Sequence, residues 1–265
     1  MPLISVIMGV YNSNEEMLKK AVESVISQTE KDFELIICDD GSDEKTKKLL
    51  QNISATDNRI KILTLPQNKG LAEALNACLD AADGEFIARQ DDDDYSDSTR
   101  FEKQIKYLEN NPDVDFIGTD CNLFDATGKI YGERIMPQKI DKNSFLYNSP
   151  FIHGSMMFRK EVFSDNRYRT LGKMKKYEDY DLFMTLTAKG YKSANMNEKL
   201  YSFYFEPSAR KIGFNMRRDE FRVRMEGFKK LGLMPKGFFY ALKPLVLGLI
   251  PHSIFIKLKA RHGGL

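Results

Sequence analysis

The sequence predicts an α/β protein whose central sheet is mostly parallel and flanked by helices. Two observations favour this class. Over about the first hundred residues, short apolar runs of strand length alternate with amphipathic helical patterns, as in βαβ units. Several runs also end directly in polar residues, which is typical of strands at the ligand-binding edge of an open α/β sheet.

The N-terminal half contains four predicted strands. They cover Leu3–Val10, Asp32–Cys38, Arg59–Leu65 and Glu85–Gln90. Apolar side chains at helical spacing predict the three intervening helices, around Met17–Ile26, Leu49–Ile53 and Gly70–Ala82. Right-handed crossovers between parallel strands then bring the polar strand ends to one edge of the sheet.

The second half shows a different pattern. Thr99 and Glu102 resemble a capping box that opens a helix ending near Asn111. Later elements are strand-like segments from Val114, a hairpin turn at 126–129, a strand over His153–Val162 and a helix over Tyr177–Lys189 ended by Gly190. We expect one domain over 1–225, made of two halves over about 1–112 and about 113–225, followed by a helical segment over 226–265.

The strand that ends at Gln90 runs directly into four aspartates, Asp91–Asp94. Adjacent carboxylates repel one another, so a fold that fixes them at a strand end usually has a cation to offset the charge. Carboxylate oxygens suit Mg²⁺ or Mn²⁺, and Mg²⁺ typically binds through one or two carboxylates together with substrate phosphates. Taken alone, the run is equally compatible with a solvated acidic turn.

Other polar groups follow the first two strands. Tyr11 could stack on a nucleotide base, and Asp39 could accept a hydrogen bond from a base N–H such as that of uracil. Lys69 and Arg89 could each contact a phosphate, although basic residues near turns are usually solvated. A metal at the aspartates would stabilise a nucleotide diphosphate as leaving group.

A general base is the remaining requirement for transfer to an incoming nucleophile. Glu178 and Asp179 open a predicted helix, whose dipole would keep a carboxylate ionised; simple N-terminal capping is the alternative. His153 could line the donor or acceptor pocket, although a lone histidine is more often structural.

Composition excludes several classes of protein. The net charge of +2 gives no reason to propose nucleic acid as a partner. Three widely spaced cysteines predict neither a disulfide framework nor a zinc site, and they suit a reducing compartment. Since the N-terminus lacks the basic region and cleavage site of a signal peptide, we expect a cytoplasmic protein.

Residues 236–261 combine apolar runs with interspersed basic residues such as Lys243 and Lys257. Lys243 and Lys257 bracket only 13 residues, which include Pro244 and Pro251, so the apolar stretch is too short for the ~20 residues of a spanning helix. The pattern favours an anchor on an anionic membrane face, at the inner side of the cell membrane. A helix packed on the domain or at a dimer contact is the alternative.

The chain resembles family 2 of the nucleotide-sugar-dependent glycosyltransferases, which are inverting enzymes with the Rossmann-like GT-A fold. The resemblance spans about residues 3–205 and lies in eight motifs in the expected order. They are Ile4–Asn12, Ser24–Thr29, Phe33–Ser42, Asn68–Gly70, Gly84–Arg89, Asp91–Asp94, Ile152–Ser155 and Glu178–Leu182.

The resemblance implies roles for matching positions. Tyr11 and Asp39 would hold the base, and Asp179 would deprotonate the acceptor hydroxyl. Asp91 and Asp93 would form the metal-binding DxD motif for Mn²⁺ or Mg²⁺, although the family commonly has a small or apolar residue where this chain has Asp92. The other residues expected to bind the nucleotide sugar are Asn12, Asp40, Lys69, Arg89, Asp91, Asp92, His153 and Glu178.

These roles predict metal-dependent, inverting transfer of one hexosyl or N-acetylhexosaminyl unit from a UDP-sugar to a saccharide or lipid-linked saccharide. The half over about 1–112 would bind the nucleotide, and the half over about 113–225 would bind the acceptor. The expected process is surface or capsular polysaccharide biosynthesis. The QxxRW motif of processive synthases is absent from the sequence, which has no tryptophan, so single transfer is favoured. A sugar-1-phosphate nucleotidylyltransferase is one alternative, but Val10–Ser13 lacks its Gly-rich basic loop. A non-catalytic nucleotide-sugar-binding module is the other, and it would have no use for Asp179.

Overall fold

The computed structural model describes residues 1–170, 176–206 and 213–249. In these residues nine strands form one sheet, with helices on both faces. The strands are β1 Ile4–Val10, β2 Phe33–Asp39, β3 Ile60–Thr64, β4 Phe86–Arg89, β5 Tyr95–Ser96, β6 Phe116–Phe124, β7 Ile130–Arg134, β8 Met157–Arg159 and β9 Ser193–Tyr204. The helices are α1 Glu15–Ile26, α2 Glu44–Ser54, α3 Leu71–Asp80, α4 Arg100–Asn110, α5 Glu178–Ala188, α6 Phe214–Lys230, α7 Lys236–Ala241 and α8 Lys243–Leu249.

The strand order is β3-β2-β1-β4-β8-β6-β9-β5, and β7 pairs with β6. The first four strands are parallel, which confirms the predicted βαβ arrangement. Beyond β4 the sheet is mixed, because β8 pairs antiparallel with both β4 and β6, while β6 and β9 are parallel. The predicted α/β class is therefore confirmed.

Strands β1 and β2 are buried along their whole length, which explains their continuous apolar sequences. Alternate side chains enter two cores on opposite faces of the sheet. Val6 and Met8 pack with residues of α1, α2 and α4, whereas Ile7 packs with residues of α3, α5 and α6. This double burial fixes the strand register, and with it the positions of the residues that follow each strand.

Two local predictions are wrong. The Thr99 hydroxyl donates to Asp97 at 2.6 Å instead of capping the helix, and Glu102 accepts a hydrogen bond from Thr29 at 2.8 Å. Such local side-chain bonds compete with a capping box. The strand expected over His153–Val162 is confined to β8, because residues 153–155 and 160–163 form 3₁₀ helices.

The C-terminal part of the described chain is helical and packs on the domain. Helix α6 continues through the expected boundary at 225 and 226. Gly237 of α7 packs against Phe228 of α6, where an added Cβ would lie 2.9 Å from the Phe228 side chain. No helix within the described ranges is long and apolar enough to span a membrane. Residues 250–261 of the predicted anchor lie outside the described residues.

Candidate active site

The C-terminal ends of β1, β2 and β4 meet at one edge of the sheet, as the parallel register requires. This edge carries the polar groups predicted from sequence: residues 11–12, 39–40 and 91–94. A cleft of about 320 Å³ opens there, and we call it the strand-end cleft. Its lining residues are Gly9, Val10, Tyr11, Asp40, Asn68, Gly70, Leu71, Ala74 and Asp92.

Asp39 and Tyr11 show how the cleft region could hold a base. Asp39 is buried, and its Oδ1 accepts a hydrogen bond from the Ser42 amide at 2.8 Å. Its other oxygen, Oδ2, is buried and has no hydrogen-bond partner among the described residues. Such an oxygen is costly unless a ligand N–H satisfies it. Tyr11 is 50% exposed, so its ring is available for stacking.

Asp40 and Asn12 shape the walls of the cleft through backbone contacts. The two Asp40 oxygens accept hydrogen bonds from the amides of Lys69 and Gly70, at 2.7 and 2.8 Å. Asn12 has a positive φ of 50°, and its side chain accepts from the Asp43 amide at 2.8 Å. These contacts fix the loops on either side of the cleft, while the Lys69 residue itself is exposed at the rim.

The four aspartates have different surroundings. Asp91 Oδ1 accepts a hydrogen bond from Arg89 at 2.5 Å. Asp92 accepts one from the Ser13 hydroxyl, and buried Asp94 accepts one from the Tyr204 amide at 2.6 Å. The remaining member of the run, Asp93, is the exposed one. The acidic turn is therefore anchored at three points and leaves one carboxylate directed to solvent.

Asp93 fits the role of a metal ligand on electrostatic grounds. Crowding by protein atoms and the negative charges of Asp91 and Asp92 raise the pKa of Asp93 to about 7, although part of the residue reaches solvent. A bound cation would reverse this effect by favouring the ionised form. Within the described ranges, no three His, Cys, Asp or Glu side chains converge into a ready metal centre.

Arg89 lies fully buried beneath this turn, so its guanidinium is a positioning group for Asp91 rather than an exposed phosphate contact. It also donates to the Gln90 carbonyl. Its positive charge acts on the pKa of both Glu178 and Asp179, at the start of α5. Arg89 therefore lies between the acidic turn of one half and the acidic helix start of the other.

Glu178 and Asp179 open α5 directly after Tyr177, which has a left-handed backbone with φ of 74°. Burial, followed by the negative charge of Asp91, raises the pKa of Asp179. Burial and the charge of Asp179 raise the pKa of Glu178 to about 7. A carboxylate whose pKa is moved towards neutrality suits proton abstraction near physiological pH.

His153 is half-buried and lies among aromatic rings. Its Nε2 is hydrogen-bonded to the Tyr168 hydroxyl at 2.8 Å, and its ring meets that of Phe183 edge-on at 6.1 Å between centroids. Burial, and then the positive charge of Arg89, hold the pKa of His153 well below its ordinary value. These effects favour the neutral imidazole, which packs against Tyr168 and Phe183.

Sequence reasoning missed Ser13 and Arg100. Ser13 was detectable, because it follows Asn12 at the same strand end as the other site residues. Buried Arg100 donates to the Gly154 carbonyl at 3.1 Å and the Arg89 carbonyl at 2.6 Å, tying the acidic turn to the segment around His153. No sequence pattern marks Arg100, since its partners are backbone carbonyls.

The matching family profile is described as glycosyl transferase family 2, and it covers residues 5–167. The chain belongs to this family. The putative glycosyltransferase EpsE of Bacillus subtilis is 34% identical over 96% of this chain and 91% of its own length. The Escherichia coli UDP-Glc:alpha-D-GlcNAc-diphosphoundecaprenol beta-1,3-glucosyltransferase WfaP is 28% identical over 95% of this chain and 96% of its own length. This family 2 protein is therefore a glycosyltransferase, as the motifs predicted.

Solved structures confirm the GT-A fold of this family 2 chain. Staphylococcus aureus TarS 1-349 in complex with UDP-GlcNAc superposes with a TM-score of 0.68, covering 93% of this chain and 71% of TarS at 17% identity. The mannosyltransferase PcManGT of Pyrobaculum calidifontis, in complex with GDP-Man and Mn²⁺, gives 0.62 over 98% of this chain and 80% of its own, at 16% identity. At these identities the likeness concerns the fold alone.

Proposed function

We propose that this glycosyltransferase moves one sugar from a UDP-sugar to a hydroxyl of a saccharide or lipid-linked saccharide, with inversion, in surface polysaccharide biosynthesis. One observation carries the proposal: Asp91 of the acidic turn is paired with buried Arg89, and the charges of both residues act on the pKa of Asp179. The acidic turn suits a donor diphosphate, and Asp179 suits an acceptor hydroxyl. The names of WfaP, which uses UDP-Glc, and of TarS with UDP-GlcNAc support the donor class.

Donor binding would use the strand-end cleft. The buried Asp39 Oδ2 would accept the N3–H of uracil, and the exposed Tyr11 ring would stack on the base. Asp40 would act indirectly, by holding the amides of Lys69 and Gly70 in the cleft wall. The exposed Lys69 side chain would contribute positive charge at the rim, and Asp92, a lining residue bonded to Ser13, would face the sugar-nucleotide.

A divalent ion, Mn²⁺ or Mg²⁺, would be held by Asp93 together with Asp91, whose Oδ1 is paired with Arg89. When bound, the ion would neutralise the diphosphate and make it a better leaving group. Arg89 would keep Asp91 oriented for this role, because its guanidinium is fully buried and surrounding protein atoms hold it in place. The Mn²⁺ in the complex of PcManGT supports a metal in a protein of the same fold.

Transfer would then require one proton acceptor. Asp179 would take the proton of the acceptor hydroxyl while that oxygen bonds to the anomeric carbon and the bond to the UDP oxygen breaks. Attack from the face opposite to the leaving group inverts the anomeric configuration. Glu178, the residue before Asp179, would face the bound nucleotide sugar, and burial and the charge of Asp179 raise its pKa to about 7.

We further propose that residues 236–261 attach the enzyme to the anionic inner face of the cell membrane. Within the described part, Phe239 is 72% exposed and Val246 is 57% exposed, although Gly237 and Ala241 pack on the domain. Replacing Phe239 and Val246 with serine should weaken co-sedimentation with anionic vesicles. The same change at Ile130, which is 55% exposed on β7, is the matched control and should have no effect. Equal vesicle binding by the wild type, the variant changed at Phe239 and Val246, and the variant changed at Ile130 would exclude this attachment.

The donor proposal is tested by screening nucleotide sugars for hydrolysis and transfer, with and without Mn²⁺ or Mg²⁺. We expect one UDP-sugar to be consumed only when metal is present, with release of UDP. Release of inorganic pyrophosphate from UTP and a sugar 1-phosphate would instead identify a nucleotidylyltransferase. Consumption of a GDP-sugar in preference to every UDP-sugar would contradict the assigned donor.

A further inference from the structure

Three basic side chains from α6 and α8 converge beside the acceptor half of the site. They are Arg217, Arg224 and Lys243, and we call them the basic cluster. Arg224 Nη2 and Lys243 Nζ both donate to the Tyr147 carbonyl, at 3.1 and 3.4 Å. Arg217 packs beside α8, where a Cβ added to Gly248 would lie 3.3 Å from its Cγ. The cluster is therefore a feature of the packed helices, not a chance grouping of surface lysines.

The charges in the basic cluster are unbalanced. Glu220 is the carboxylate that faces it, with Oε1 at 2.9 Å from Arg224 Nη2 and Oε2 at 3.9 Å from Arg217 Nη1. Three positive charges thus share one negative charge. In addition, Arg217 Nε is buried and has no hydrogen-bond partner among the described residues. Partial burial and the charges of Arg224, and to a smaller extent Arg217, lower the pKa of Lys243. A bound anion would relieve each of these costs.

The basic cluster is linked to the proposed general base through two tyrosines. The Tyr177 hydroxyl donates to Glu220 Oε2 at 3.5 Å, and the Arg224 guanidinium lies 5.3 Å from the centroid of the Tyr180 ring. Tyr177 and Tyr180 flank the pair formed by Glu178 and Asp179 in sequence. We assign an anion at the cluster to the acceptor, because Tyr180, whose ring lies against Arg224, directly follows Asp179 in the chain.

We propose that the basic cluster binds the phosphate groups of an acceptor that carries its sugar on a diphosphate. This inference rests on the proposed function and adds the recognition of the acceptor's non-sugar part. Arginine and lysine donors are suited to such charge-assisted contacts with phosphate oxygens. Exposed Lys243 would close over the phosphate, whereas buried Arg224 would hold the floor of the site.

The first test measures binding alone, by calorimetric titration of inorganic pyrophosphate in buffer containing EDTA. Without a divalent ion the strand-end cleft lacks the cation it needs to hold a diphosphate. Pyrophosphate binding under these conditions therefore measures binding to the basic cluster. We expect Lys243→Gln and Arg217→Gln to weaken binding about tenfold each, the factor that corresponds to one charge-assisted contact of about 1.4 kcal/mol. Lys229→Gln, at an exposed lysine near the end of α6, is the matched control and should bind as the wild type does.

The second test compares two acceptors of the same sugar, one an octyl diphosphate derivative and one the neutral octyl glycoside. Lys243→Gln should raise the KM for the diphosphate acceptor about tenfold and leave kcat and the neutral acceptor's KM unchanged. Lys243→Arg should retain the preference, because it keeps the charge. Metal-dependent hydrolysis of the donor should be the same in all variants, so a failure of the proposed function would be seen separately.

Four results would overturn the inference. The first three are no pyrophosphate binding by the wild type, equal weakening by Lys229→Gln and Lys243→Gln, and no difference between the two acceptors in the wild type. Loss of anionic vesicle binding by Lys243→Gln, with pyrophosphate binding unchanged, would reassign the cluster to a lipid headgroup and would also overturn it. Weakening that is confined to the cluster variants and to the diphosphate acceptor would support it.

Discussion

The half over about 1–112 and the half that follows it are built in different ways; we propose that the first, the donor half, binds the nucleotide sugar and that the second, the acceptor half, binds the acceptor. In the donor half, the parallel strands β1, β2 and β4 bring their polar ends to one edge, so the backbone topology assembles the strand-end cleft. In the acceptor half, contacts join distant segments through side chains, as when Arg224 donates to the carbonyls of Leu146 and Tyr147, 78 and 77 residues earlier. Nucleotide binding should therefore respond to changes in the first half, and acceptor chemistry to changes in the second.

The largest effect is expected from Asp179→Asn. Removing the general base should reduce turnover by about 10²–10⁴-fold, because proton abstraction from the acceptor hydroxyl is lost. Since Asp179 belongs to the acceptor half, the affinity for UDP measured by calorimetry should remain within about twofold of the wild type. If Asp179→Asn lost UDP binding together with turnover, Asp179 would contribute to donor binding, and this prediction would be wrong.

Asp93→Asn is the matching change in the donor half. It removes the exposed carboxylate assigned to the metal, and with it several kcal/mol of charge stabilisation, which is about a hundredfold or more in rate. Unlike Asp179→Asn, it should also weaken UDP binding and raise the metal concentration needed for half-maximal activity. Wild-type activity and metal dependence in this variant would show that the metal site is elsewhere.

Base selectivity tests the donor half more finely. Guanine carries its N1–H on a larger two-ring base, so in a site that fits uracil this donor would not lie where the N3–H meets Asp39, and the buried carboxylate oxygen would stay unsatisfied, at a cost of about 1–3 kcal/mol. Calorimetry in the presence of metal should therefore give UDP at least about tenfold tighter binding than GDP. Equal or tighter binding of GDP would contradict the assignment of Asp39.

The smallest effect concerns stability and pH. The pKa of Glu178 is raised from 4.5 to about 7 by burial and by Asp179. Between these values the folded state binds more protons than the unfolded state, so this group makes stability fall as pH rises through that window. Glu178→Gln should thus gain thermal stability over the wild type at about pH 8 relative to about pH 5. The same change at exposed Glu109 on α4 should give no pH-dependent difference.

Much of the donor half was predictable from sequence, because its strands are short and mostly apolar, and β1, β2 and β4 run directly into polar residues at the cleft. Side-chain environments within that half were not predictable. The sequence predicts that Arg89, beside four aspartates, contacts a phosphate. In the structure Arg89 is buried, and its guanidinium donates to Asp91 and to the Gln90 carbonyl. The capping box at Thr99 was wrong for a similar reason, since Asp97 offered a nearer partner.

The acceptor half was less predictable, and the reasons are physical. Helix α5 and its acidic start could be found from apolar spacing and from Glu178 and Asp179. The short 3₁₀ helices at 153–155 and 160–163 could not, because an apolar run does not distinguish a strand from a tight turn. The basic cluster depends on how α6 and α8 pack together, which no local pattern of residues specifies.

The central claim is a single displacement, in which Asp179 activates an acceptor hydroxyl against a donor held at the strand-end cleft. The most direct measurement is the anomeric configuration of the product by NMR, with a UDP-sugar of known configuration as donor. One base and one face of attack predict a β-linked product from an α-linked donor. A product that retains the donor's configuration would require a second displacement or a different geometry, and would contradict this account.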